Sequence, residues 1–162
     1  MQNAKDSFYI ALRNRLAVLN PARMMTLRGV QRPGILTEEA EAVSAQIAPD
    51  VFVLRWTGLK ADLNLPQPLL QLDCEIHYTT SGTQNSAGMD RGRQLEGMDA
   101  ELLSIVAPFS TAKMDYTQAP PVEVGTTVFW NQPAFGPATT IRDRVERAVK
   151  VSIFTYQEQG EQ

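Results

Sequence analysis

Three residues in the stretch LLQLDCEIHYTT, namely Asp73, Glu75 and His77, have side chains suited to proton transfer or metal binding. On an extended strand they stand at i, i+2 and i+4 and share one face. Such a ladder lets a carboxylate orient an imidazole for base catalysis, or offers ligands to a metal. The spacing works against the metal. Same-face neighbours on one strand lie about 7 Å apart, too wide for tetrahedral zinc without further ligands. His77 is the only histidine, so no second imidazole is at hand. The favoured reading is a solvent-facing strand carrying polar side chains. A small ligand- or metal-binding domain, or an enzyme using this face, is the competing one.

Cys74 is the only cysteine and falls on the apolar side of the same strand. There it acts as a small hydrophobe, with no activating neighbour in the sequence. A single cysteine leaves no partner for an intrachain disulfide and no cysteine-based zinc cluster. Ser81 and Ser86 lack a Gly-x-Ser-x-Gly context. The run from Gly88 to Gly92, GMDRG, lacks the spacing of a phosphate-binding loop. With no catalytic signature, the expectation is a non-enzyme with no cofactor and no metal.

The remaining chemistry-bearing residues read as contacts. Arg91 and Arg93 open a helix expected over Gly88 to Ala107, with Ser86 or Asp90 as candidate caps and Pro108 as its stop. Leu95, Met98, Leu102, Ile105 and Val106 form its apolar stripe. Arg91 lies in line with that stripe, at the end where the helix dipole disfavours a cation. It reaches either a carboxylate of its own fold or a neighbouring subunit. Gly92 and Gly97 each cost a helix roughly 1 kcal/mol against alanine, which a close approach by another backbone would explain. The second half of this helix is expected to hold the fold, and the first half to face a partner. Trp130, with Phe129 and Phe135 between Pro133 and Pro137, reads as core or as an interface anchor. Trp56 reads as core.

A first helix is expected from Asp6 or Ser7 to about Leu19, stopped by Asn20-Pro21, with Phe8, Leu12, Leu16 and Leu19 inward. Ile10, Ala17 and Val18 lie nearly opposite, so the helix is either buried twice or meets a subunit. The candidate interface set is therefore Ile10, Ala17, Val18, Arg91, Arg93 and Trp130.

Arg23 to Leu27 and Val30 to Leu36 read as paired strands around an Arg28-Gly29 turn, with Pro33 confining the return to an edge or a broken strand. Thr37 to Pro49 reads as a surface connection. Val51 to Thr57 is strand-like, and Gly58 to Pro68 reads as a loop. Leu70 to Tyr78 alternates strictly and is a long strand. Thr79 to Ala87 is a polar loop. Pro108 to Gly125 reads as a long irregular stretch, Thr126 to Trp130 as a strand and Asn131 to Pro137 as a loop. Arg144 to Tyr156 closes the chain as a long strand, with Val145, Arg147, Val149, Val151, Ile153 and Thr155 on one face. The acidic tail 157–162 is expected to fray.

These elements predict an α+β fold: a mainly antiparallel or mixed sheet of about five to six strands, with two helices packed on one face. The whole chain, 1–162, reads as a single domain. Its net charge of −3 argues against a general nucleic-acid binder. No run approaches the ~18 apolar residues that span a bilayer, and the N-terminus does not read as a signal peptide.

The arrangement as a whole resembles the small tail-terminator or tail-completion proteins of long-tailed phages and related phage-like particles. The resemblance runs through FYIALRNRLAVL, the strand pair ending in RPGIL, LLQLDCEIHYTT, MDRGRQLEGMDAELLSIV, KMDYTQAPPVEVGTTVFWNQPAF and the final strand. It lies in the order of elements, and no functional residue is carried over from it. It implies a homo-oligomeric ring, with a hexamer favoured, that caps the tail tube and meets neck or connector proteins. It implies a place in the particle tail after assembly in the bacterial cytoplasm. DNA passing through the ring is compatible with it; sequence-specific DNA binding is not expected. A neck or head–tail connector is the close variant, and an adaptor binding a peptide on an open sheet edge is a further competitor.

Overall fold

The computed structural model describes residues 1–41 and 48–158. The chain opens with α1 (Gln2–Leu19), followed by the hairpin strands β1 (Met24–Leu27) and β2 (Val30–Pro33). Arg28 and Gly29 between them both have positive φ, 50° and 81°. This matches the two-residue turn whose twist suits a hairpin. β2 stops at Pro33. After Gly34 the chain re-enters extended structure as β3 (Ile35–Thr37), in a different sheet from β1 and β2. The break expected at Pro33 is therefore present. A short helix α2 (Glu38–Glu41) opens the expected surface connection, and 42–47 lie outside the described residues.

Then come β4 (Phe52–Asp62), β5 (Leu69–Thr80), a 3-10 turn (Gln84–Ser86) and α3 (Arg91–Ile105). β6 (Ser110–Asp115), β7 (Val122–Trp130), β8 (Ala134–Phe135), β9 (Thr139–Ile141) and β10 (Arg144–Tyr156) complete the chain. The main sheet runs β3-β4-β5-β10-β7-β6, with β8 and β9 also on β10. β3 pairs with β4 in parallel and the other pairs are antiparallel. The fold is α+β with a curled, mixed sheet, and β1 and β2 form a small second one.

One core holds these layers together. Phe8, Leu12 and Leu16 of α1 and Leu95, Met98 and Leu102 of α3 pack with Leu72, Cys74 and Ile76 of β5 and Val149, Val151 and Ile153 of β10. Both long helices thus cover the same sheet face. The central pair is β5 with β10, in register over twelve residues from Val145↔Thr80 to Tyr156↔Leu69. Burial along β5 alternates from Leu69 to Tyr78, as the period-two pattern requires.

Several expectations need correction. α1 begins at Gln2, not at Asp6 or Ser7, and Ser7 is a buried mid-helix residue. Leu19 is outside the core, 48% exposed. The supposed loop from Gly58 belongs to β4 as far as Asp62. A bulge between Trp56 and Gly58 breaks the alternation that would have revealed the strand. The supposed irregular stretch from Pro108 to Gly125 contains β6 and half of β7, paired as a hairpin with its own register shift between Ala112 and Met114. α3 is shorter than Gly88 to Ala107 at both ends. Asp90 stands at its N-cap position without capping it. Of the tail, Gln157 donates its backbone N–H to Pro68 O at 2.9 Å and Glu158 accepts from Thr126 Oγ1 at 2.6 Å, so these two are tied down. Residues 159–162 lie outside the described residues.

Candidate functional site

Asp73, Glu75 and His77 do share the outer face of β5, and each has its own local partners. Asp73 accepts from Gln71 Nε2 at 2.8 Å and Ser152 Oγ at 2.9 Å, with Lys60 Nζ at 3.9 Å. The Gln71 bond, first, and the Ser152 bond hold its carboxyl below the ordinary range, against a smaller opposing effect of burial. Glu75 lies 3.2 Å from His77 Nε2 through one oxygen and 3.5 Å from Lys150 Nζ through the other. The ladder thus joins one same-strand contact, Glu75 with His77, to two cross-strand ion pairs, Asp73 with Lys60 and Glu75 with Lys150. No cluster of three or more His, Cys, Asp or Glu fit to hold a metal occurs among the described residues.

Cys74 is buried at 1% exposure, and its thiol is pushed up to about 12, chiefly by burial. A thiol in that state is a poor nucleophile at neutral pH. Two further polar networks tie elements together. Tyr78, fully buried on β5, donates to Asp99 of α3, which also pairs with Arg147 of β10. Burial and that bond raise the phenol well above its usual range. On the other flank of α1, Tyr9 donates to Glu41 Oε2 at 3.0 Å and accepts from Arg32, while Arg32 pairs with Glu41 at 2.6 Å. Burial comes first in raising the Tyr9 phenol to about 12. This latch binds the β1–β2 hairpin to the body.

The candidate interface residues separate. Trp130 lies in the core: it is 4% exposed, its Nε1 donates to Val106 O at 3.2 Å, and its ring meets Phe8 edge-on at 5.0 Å. It is not an exposed anchor. Trp56 is half-buried at the rim of the same core, with Lys5 Nζ 5.2 Å from its ring. Arg91 turns back to donate from Nε to Gly88 O at 3.0 Å. That is a local backbone bond rather than one to a carboxylate of its own fold. Arg93 is exposed on α3. Ile10 is half-buried against the core. Ala17 is exposed, and Val18 is 83% exposed. A Cβ at Gly92 or Gly97 would meet nothing within 4 Å, so among the described residues no other backbone approaches either glycine.

Val18 belongs to a larger surface that the sequence did not disclose. A groove of about 520 Å³ lies between the C-terminal ends of α1 and α3, lined by Asn14, Arg15, Val18, Leu19, Ser104 and Ile105. Arg15 is one of its lining residues. Nη1 donates to Ile105 O at 2.8 Å and Ala107 O at 3.2 Å, capping the end of α3. The guanidinium lies over Phe109 at 4.4 Å. Phe109 is itself 55% exposed, and Leu103 on the same helix end is 54% exposed. No carboxylate pairs with Arg15 among the described residues.

A second apolar surface follows β4. Its outer edge pairs with β3 only at Phe52, Val53 and Leu54. Beyond these no strand among the described residues lies beside it, and Leu59 is half exposed there. In the turn that follows, Leu63 and Leu65 are 73% and 40% exposed. Other exposed apolar side chains, such as Met89, Val122 and Ile141, stand singly at the ends of elements.

No protein-family profile matches the chain, and no curated protein matches it. No helix among the described residues is long and apolar enough to cross a membrane.

Proposed function

We propose that this protein is a structural, ring-forming component of a phage or phage-like tail. It caps the tail tube as a terminator and joins the tube to the neck, without catalysis and without a cofactor. The observation that carries the reading is the pair of exposed apolar surfaces, the α1–α3 groove and the β4–β5 turn, at two different places on one subunit. A chain with two unlike sticky surfaces associates head to tail. Head-to-tail contacts close into rings when the rotation per subunit permits. The resemblance of its order of elements to that of tail terminators supports this particular kind of ring.

Native mass spectrometry at micromolar concentration, followed by negative-stain imaging with polymerised tail tube protein, tests this. A closed oligomer, six subunits being favoured, seated on tube ends is the expected result. A protein that stays monomeric and leaves tube ends bare refutes it.

A further inference from the structure

We infer that the turn Leu63 to Pro68 of one copy fills the α1–α3 groove of the next copy. This rests on the ring reading above and names the surfaces that would make the ring.

The turn is built as a rigid knob. Its residues are Leu63, Asn64, Leu65, Pro66, Gln67 and Pro68, and the two prolines fix their own φ angles. Asp62 Oδ1 accepts from Asn64 N and from Asn64 Nδ2, both at 3.0 Å. Gln67 Nε2 donates to Gln157 O at 3.0 Å, and Gln157 N to Pro68 O at 2.9 Å. The base is thus tied to the end of β10, while the two leucines point their apolar surface at solvent. Little conformational freedom remains to be lost on docking.

The groove complements the knob in kind and in sign. Its volume falls within the range of small binding clefts, and Val18, Leu19 and Ile105 supply its apolar wall. Among the described residues, Arg15 is its only charged lining residue. The only charged residue of the knob with its base, Asp62 to Pro68, is Asp62. Seating the leucines brings that carboxylate toward the guanidinium.

The two surfaces do not meet within one chain: Leu63 and Leu65 are 73% and 40% exposed, and no residue of the turn lines the groove. Arg15 of the groove lies over Phe109 and Trp130 on the β7 side of the sheet, whereas the turn follows β4, on the other side of β5 and β10. Knob and groove pair only between copies, and the contact is heterologous.

The experiment combines native mass spectrometry of the unmodified protein with two sets of variants. Leu63→Cys and Ser104→Cys are made singly, mixed and mildly oxidised with glutathione disulfide; they are also combined in one chain. The double variant Leu63→Ser/Leu65→Ser is assayed for assembly, with circular dichroism as the folding check. The expected results are a cross-linked dimer only from the mixture, a ladder ending in a closed ring from the combined chain, and assembly weakened about tenfold per leucine. Closed oligomers that show no 63–104 cross-link, and that tolerate the serines, overturn this contact and leave the ring reading standing. A cross-linked ladder that never closes keeps the contact and overturns the ring. A monomer that yields no cross-link overturns both.

Discussion

At one edge of the main sheet, β6 lies under α1; at the other, β4 runs past β3 from Arg55 to Asp62, and among the described residues β5 is the only strand paired with it there. The β6 edge is closed by a side chain from the helix. Met114 N donates to Ser7 Oγ at 2.9 Å, and Ser7 Oγ donates in turn to Asn3 O at 2.7 Å. At the β4 edge Glu38 of α2 pairs with Arg55, and beyond Arg55 no helix side chain bonds to the strand's backbone among the described residues. This edge carries the Trp56/Gly58 bulge and the exposed Lys60, two features that discourage indiscriminate strand pairing. The difference teaches where the chain invests its order. The helix-covered edge is built into the core, whereas the other is left passable and is guarded only by charge and irregularity.

The largest expected effect comes from loosening the cover itself. Phe8 anchors α1 between Trp56 and Trp130, at 6.0 and 5.0 Å between ring centroids. Phe8→Ala should destabilise the fold by about 3–5 kcal/mol in urea unfolding. A cost under 1 kcal/mol would mean that α1 is a removable lid. Next, Ser7→Ala strips Met114 N of its acceptor and should cost about 1–3 kcal/mol. Hydrogen exchange at the Met114 amide should quicken more than at Val128. Equal protection would show the edge closed by something other than Ser7.

A smaller effect lies away from both edges. Asp90 accepts from Ser86 Oγ, from Thr83 N at 2.9 Å and from Thr83 Oγ1 at 2.9 Å. The Ser86 bond, first, and then the Thr83 N–H hold its carboxyl well below the ordinary value of 3.8. A depressed folded value means that this contribution to loop order is complete above the ordinary value and is lost as pH falls through the folded one. Carboxyl NMR should show Asp90 titrating below the other exposed aspartates. The smallest effect on stability is at the open edge. Lys60→Val should change it by no more than about 0.5 kcal/mol, yet raise concentration-dependent light scattering. Unchanged scattering would show that Lys60 is not the guard.

These two edges also mark what could be read from the residues alone. β5 was legible because Leu70, Leu72, Cys74, Ile76 and Tyr78 alternate without interruption and every one is buried. The far half of β4 was not, because the bulge resets the alternation and Gly58, Lys60 and Asp62 carry no strand preference. β6 was hidden for a related reason. Its most buried side chain is Lys113, whose Nζ donates to Tyr156 O at 3.0 Å, and a hydropathy pattern assigns lysine to the surface. The start of α1 was missed because no side chain caps it. The polar ladder on β5 lies on the face that its alternation predicts, and within it Glu75 meets His77 Nε2 at 3.2 Å. The α1–α3 groove was illegible in principle: Val18 and Ile105 are far apart in sequence and meet only through the fold.

Gly92 and Gly97 on the exposed side of α3 bear on adaptation to temperature. A methyl group at either site meets open space, and alanine there gains up to about 1 kcal/mol of helix propensity. A lineage moving to a hotter habitat could therefore stiffen this helix by two substitutions without repacking any core residue.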